Sequence, residues 1–65
     1  MNLKRSINIA LAERDKKLSK FAEEIGMKHQ QLSRIIKENS ANTKSLETIA
    51  KGFGLSVSEL IALGE

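Results

Sequence analysis

The apolar positions of this 65-residue chain recur at helical spacing in five stretches, each ended by a short polar break. Leu3, Ile7, Ala10 and Leu11 share one face of a first helix, expected from about Leu3 to Arg14. Asn2 stands ready as its N-cap, and Asp15, Lys16 and Lys17 end it. Phe21 and Ile25 lie four apart on a short second helix beginning near Leu18, and Leu32, Ile35 and Ile36 repeat at i, i+3, i+4 on a third, expected from about His29 to Lys37. The segment Glu38 to Thr43, ENSANT, has almost no apolar content and several turn formers, so it reads as an exposed loop. Leu46, Ile49 and Ala50 mark a fourth helix, with Gly52 and Gly54 flanking Phe53 as its C-cap. Ser56 and Glu59 form an S-x-x-E capping box for a fifth helix that carries Val57, Leu60 and Ile61 and ends at Gly64. With no strand pattern, internal repeat or linker, the expected architecture is all-α, a compact five-helix bundle forming one domain over residues 1–65.

The join between the second and third helices has a pattern of its own. Two helices crossing steeply over a turn of three or four residues need little side-chain bulk where they meet and no Cβ where the chain reverses; Ala22 meets the first need and Gly26 the second. That order reads as a helix-turn-helix. On the third helix Gln30, Ser33, Arg34 and Lys37 then share the face opposite Leu32, Ile35 and Ile36, with His29 at its edge. Such a face can donate hydrogen bonds to base edges and to phosphates.

Composition narrows the chemistry. The chain has no Cys, Pro, Trp or Tyr and a single His, so neither a disulfide framework nor a zinc finger nor a thiol nucleophile can be built, and His29 has no second His or Cys to complete a metal site. Glu23 and Glu24 are neighbours on a helix face with no partner base, and they read as solvated surface. Gly52-Phe53-Gly54 is too short for a nucleotide fingerprint. A chain of this length has no room for a separate enzymatic core, so no enzyme, cofactor or small-molecule ligand is expected. Eleven Lys plus Arg against eight Asp plus Glu leave a net charge of +3, which favours a polyanionic partner. The apolar stretch Ile7 to Ala12 is interrupted by Asn8 and too short for a signal peptide, and no run approaches a membrane span. A cytoplasmic protein with no membrane partner is expected.

Phe21, Ala22, Ile25 and Gly26, then Leu32, Ser33, Arg34 and Ile35, and finally the run SLETIAKGFGLSVSEL from Ser45 to Leu60 resemble the DNA-binding domain of the lambda-type phage repressor and Cro family. The resemblance covers nearly the whole chain. It implies a small Cro-like transcriptional regulator, a repressor in its phage relatives, whose third helix enters the major groove of double-stranded DNA. By position, Lys28, His29, Gln30, Ser33 and Arg34 are the expected base readers, with Gln30 suited to adenine and Arg34 to guanine or a phosphate. The expected phosphate contacts are Ser19 and Lys20 at the start of the second helix, Lys37 at the end of the third, and Asn39, Ser40, Asn42 and Lys44 after it. Relatives bind palindromic operators as dimers, and the residues left for that purpose are Val57, Ser58 and Ile61, a patch small enough to hold only a weak homodimer until DNA completes it. The alternative from another class is a protein-interaction module, such as the antitoxin of a toxin-antitoxin pair.

Three departures from the family pattern stand out. Leu18 takes the place of a glutamine that in many relatives touches a phosphate and braces the recognition helix. Leu11 and Ile36 replace a buried Arg and Glu pair, which avoids the desolvation cost of burying two charges. Lys28 stands where Ser or Thr often caps the third helix, giving up a cap worth roughly 1 kcal/mol for a phosphate-seeking charge.

Overall fold

The computed structural model describes residues 2–65 and contains, within them, five helices and no strand: α1 (Leu3–Glu13), α2 (Leu18–Glu24), α3 (His29–Glu38), α4 (Thr43–Phe53) and α5 (Val57–Leu63). The all-α expectation holds. Leu3, Ile7, Ala10, Phe21, Leu32, Ile49 and Leu60 are wholly removed from solvent, and with Leu11, Ala22, Ile35, Ala50 and Phe53 they form one core fed by every helix. At about 25 cal/mol per Å² of apolar surface, that shared core is what holds helices too short to persist alone.

Caps set the boundaries. The Asn2 side chain accepts from the Arg5 N–H at 3.1 Å to start α1, and the Asn42 side chain accepts from the Ser45 N–H at 2.7 Å to start α4. Between α2 and α3 the chain reverses at Gly26, whose φ of +76° carries a steric penalty for any residue with a Cβ, while the Met27 N–H closes the turn on the Ala22 carbonyl at 2.9 Å. The loop after α3 is shorter than the expected Glu38 to Thr43. Asn39 adopts the left-handed conformation (φ +53°) and ends α3 only after Glu38, and the Asn42 cap starts α4 already at Thr43, so both end residues are helical.

Gly52 also corrects the sequence reading. It lies within α4, and Gly54 alone, at φ +75°, is the C-cap. A Cβ on Gly52 would collide with Ile25 Cγ2 and come within 3.0 Å of the Phe21 ring, so the residue is bare because α4 crosses α2 there. Phe21 stacks on Phe53 with ring centroids 4.0 Å apart and planes 4° from parallel. Over the Phe53 ring lies the Arg14 guanidinium, 5.0 Å from its centroid, donating to the Phe53 carbonyl at 2.6 Å and to the Ala10 carbonyl at 2.9 Å. Arg14 is thus a clasp between the ends of α1 and α4. At the replaced ion-pair positions, Leu11 is buried and Ile36 packs half-buried against the core.

The start of α1 meets the end of α5. Gly64, just past α5, lies so close to α1 that a Cβ would strike the Asn2 carbonyl oxygen and Ser6 Oγ, and Ser6 is itself fully buried. The expected capping box starts α5: Glu59 Oε1 accepts from the Ser56 N–H at 2.9 Å and Ser56 Oγ accepts from the Glu59 N–H at 3.1 Å. The Ser56 backbone and hydroxyl together hold the Glu59 carboxyl below its ordinary value of 4.5. A depressed folded pKa contributes stability above the unfolded value and loses it as pH falls through the folded one. Glu59→Gln is therefore expected to make thermal melts less sensitive to acid below pH 4.5 than wild type; parallel pH profiles would show that the box carries no charge-dependent stability.

Candidate nucleic-acid interface

The α3 helix turns Leu32 and Ile35 into the core, which leaves Lys28, His29, Gln30, Arg34 and Lys37 exposed and Ser33 half-buried on the other side. His29, Gln30, Ser33, Arg34, Lys37 and Glu38 together line one open concavity of about 490 Å³. Nothing holds these side chains tightly. Among the described residues Arg34 pairs only with Glu38, at 3.8 Å and with both side chains more than half exposed, an i,i+4 contact worth roughly 0.3–0.5 kcal/mol. Lys28 occupies the N-cap position and makes no side-chain cap bond.

A second concavity, lined by Ile25, Gly26, Met27, Gln31, Asn42, Lys44, Ser45 and Thr48, brings the start of α4 beside the helix-turn-helix turn. Lys44 and Asn42 therefore adjoin α3, although the Asn42 oxygen is already engaged as the α4 cap. Gln31, which the sequence reading passed over, is exposed and lines both this concavity and one it shares with Lys28, Gln30 and Arg34. Its position between the polar and apolar faces of α3 hid it from a count of faces; only the place of α4 reveals it.

The remaining candidates are more dispersed. Ser19 and Lys20 are exposed in the first turn of α2, and Ser40 is exposed after α3. Asn39 Oδ1 accepts from the Leu3 N–H at 2.8 Å, so that side chain fastens the start of α1 to the end of α3. On α5, Leu60 is fully buried, Val57 packs half-buried against the core, Ile61 is half-exposed outside it, and Ser58 is exposed with its hydroxyl 3.2 Å from that of Ser56.

Charge placement at several helix ends departs from the usual pattern. Helix dipoles favour acids at N-termini and bases at C-termini. Here the first turns of α1 to α4 contain no acid, and cations stand at or within them: Lys4 and Arg5, Lys20, Lys28, and Lys44. Conversely α1, α2 and α3 end in Glu13, Glu24 and Glu38. A cation in an exposed first turn is unfavourable by a few tenths of a kcal/mol to about 1 kcal/mol, whereas Lys37 and Lys51 in the last turns of α3 and α4 follow the usual rule.

Among the described residues no group of three or more His, Cys, Asp or Glu side chains is arranged to hold a metal ion, and no helix is long and apolar enough to cross a membrane. No curated protein and no solved structure matches the chain. A family model for the Cro/C1-type HTH DNA-binding domain matches residues 6–64, from the second turn of α1 to the glycine that packs α5 on it. With the helix-turn-helix, its outward polar face and all of the flanking helices but the first turn of α1 inside that match, the chain belongs to the Cro/C1-type helix-turn-helix family of DNA-binding domains.

Proposed function

We propose that this domain is a sequence-specific regulator that works by occupancy, laying α3 in the major groove of a palindromic operator and binding it as a dimer. The observation that carries this reading is the outward polar face of Lys28, His29, Gln30, Arg34 and Lys37 with half-buried Ser33 among them, weakly tethered and flanked by Lys44 at the start of α4. Gln30 and Arg34 read base edges, Lys28, His29 and Ser33 complete the reading surface, and Lys20, Lys37 and Lys44, with Ser19, Asn39, Ser40 and Asn42, grip the backbone. Asn39 and Asn42 serve chiefly by fixing the ends of α3 and α4, since their side-chain oxygens are committed to Leu3 and Ser45.

Selection of bound sites from random duplexes, followed by titration against salt, tests the reading. A defined motif with two-fold symmetry is expected, and log Kd should vary with log salt by about 0.9 for each phosphate neutralised. Loss of all sequence preference, or a flat salt dependence, would favour a domain whose polar face meets protein.

One recognition helix spans few base pairs, so two are expected in successive major-groove turns roughly 34 Å apart. Ile61, half-exposed and outside the core cluster, is the apolar group best placed on α5 to meet a second copy, with Ser58 and the outer edge of Val57 beside it. Ile61→Asp should leave the monomer folded and abolish two-to-one complexes in sedimentation with a palindromic site. Unchanged complexes would move the dimer surface elsewhere, with half-exposed Ile9 on α1 the next group to test.

A further inference from the structure

Of the cations set against the helix dipoles, those of α2, α3 and α4 belong to the DNA-binding surface proposed above, whereas Lys4 and Arg5 of α1 have no such assignment. Both are exposed, neither forms an ion pair among the described residues, and no acid precedes Glu13 on their helix. Glu65 follows Gly64, which packs on Asn2 and Ser6, yet its carboxylates pair with neither cation. Lys4 and Arg5 border an open concavity of about 460 Å³ with Asn2, Asn8 and Ile9, a lining without negative charge. Among the described residues no ion pair or side-chain hydrogen bond uses these two charges, and in the first turn of α1 they oppose its dipole.

Their location is fixed by one bond. The Leu3 N–H donates to Asn39 Oδ1 at 2.8 Å, which ties the first turn of α1 to the end of α3, two residues beyond Lys37. The first turn of α1, with Lys4 and Arg5, therefore stands at the end of α3 that carries Lys37, where Glu38 is paired with Arg34. We propose that Lys4 and Arg5 form a further backbone-binding patch that takes DNA phosphates lying outside the base pairs read by α3. This inference rests on the DNA-reading role of α3. Its chemistry is side-chain charge on a phosphodiester, so it lengthens the footprint and adds affinity while carrying no sequence information.

The test compares wild type, the double variant Lys4→Gln/Arg5→Gln and the charge-conserving Lys4→Arg on the selected operator, in duplexes extended one base pair at a time and at several salt concentrations. Wild type and Lys4→Arg should gain affinity in a step as flanking phosphates are added. The double variant should lack that step, keep the same base preference, and show a salt slope lower by about 0.9 for each phosphate it no longer neutralises. Its melting temperature should equal or exceed that of wild type, because the removed charges oppose the helix dipole. An unchanged length step and slope in the double variant, or a clear drop in its melting temperature, would overturn the patch while leaving α3 as the reader. If wild type itself did not distinguish the operator from unrelated duplex, the DNA-reading role would fall and this inference with it.

Discussion

Phe21→Ala should leave the domain largely unfolded at 37 °C. The side chain is fully buried, stacks on Phe53 at 4.0 Å and fills the space that Gly52 keeps open where α4 crosses α2. Truncating such a ring costs about 3–5 kcal/mol, and a core of this size rarely supplies more than about 3–5 kcal/mol in total. The damage would travel: Phe53 loses its stacking partner, and Arg14, which lies over Phe53 and holds its carbonyl, loses its platform. Circular dichroism melts should show little cooperative transition above room temperature, and DNA binding should fail although Phe21 touches no base. A cooperative melt within a few degrees of wild type would mean that the core closes over the lost ring.

The second large effect concerns affinity with the fold intact. Gln30→Ala and Arg34→Ala should each cost roughly 1–3 kcal/mol on the best operator and relax preference at one base position, since a bidentate amide or guanidinium contact is worth about that much against the wrong base. Melting temperatures should barely move, because both residues are exposed and the one ion pair involved, Arg34 with Glu38 at 3.8 Å, is weak. Competition titrations against single-base variants of the operator read the effect directly. A loss at Arg34 spread evenly over all sequences would assign it to a phosphate, and full retention of preference in both variants would move the reading surface toward Gln31.

The sequence revealed most where one residue type has one physical use. Helical spacing of Leu3, Ile7, Leu32, Ile35 and Ile49 located helices and their buried faces, and Ser56 with Glu59 announced the start of α5, because periodicity and capping are local. What it withheld was tertiary. Gly52 beside Gly54 looks like one more turn residue, and only the approach of Ile25 and Phe21 explains its missing side chain. Arg14 reads as a helix end, yet its partner is 39 residues away at Phe53. Asn39 reads as a loop amide facing phosphate, and it is a left-handed cap whose oxygen is spent on Leu3. For the reading face the outward set on α3 was legible from its angle to Leu32 and Ile35, while Gln31 became visible only once α4 stood beside it.

The close seating of Gly64 on Asn2 and Ser6 has a bearing on how the protein is made. During synthesis α1 emerges before α5, although Leu3 and Ile7 need the cover that α5 provides. Joining α1 to α5 closes a loop that spans the three helices between them, an entropically costlier contact than those between helices joined by short loops. A nascent chain halted before α5 would therefore carry a finished recognition helix on an open core, and it would be a substrate for proteases and chaperones before it could act as a regulator.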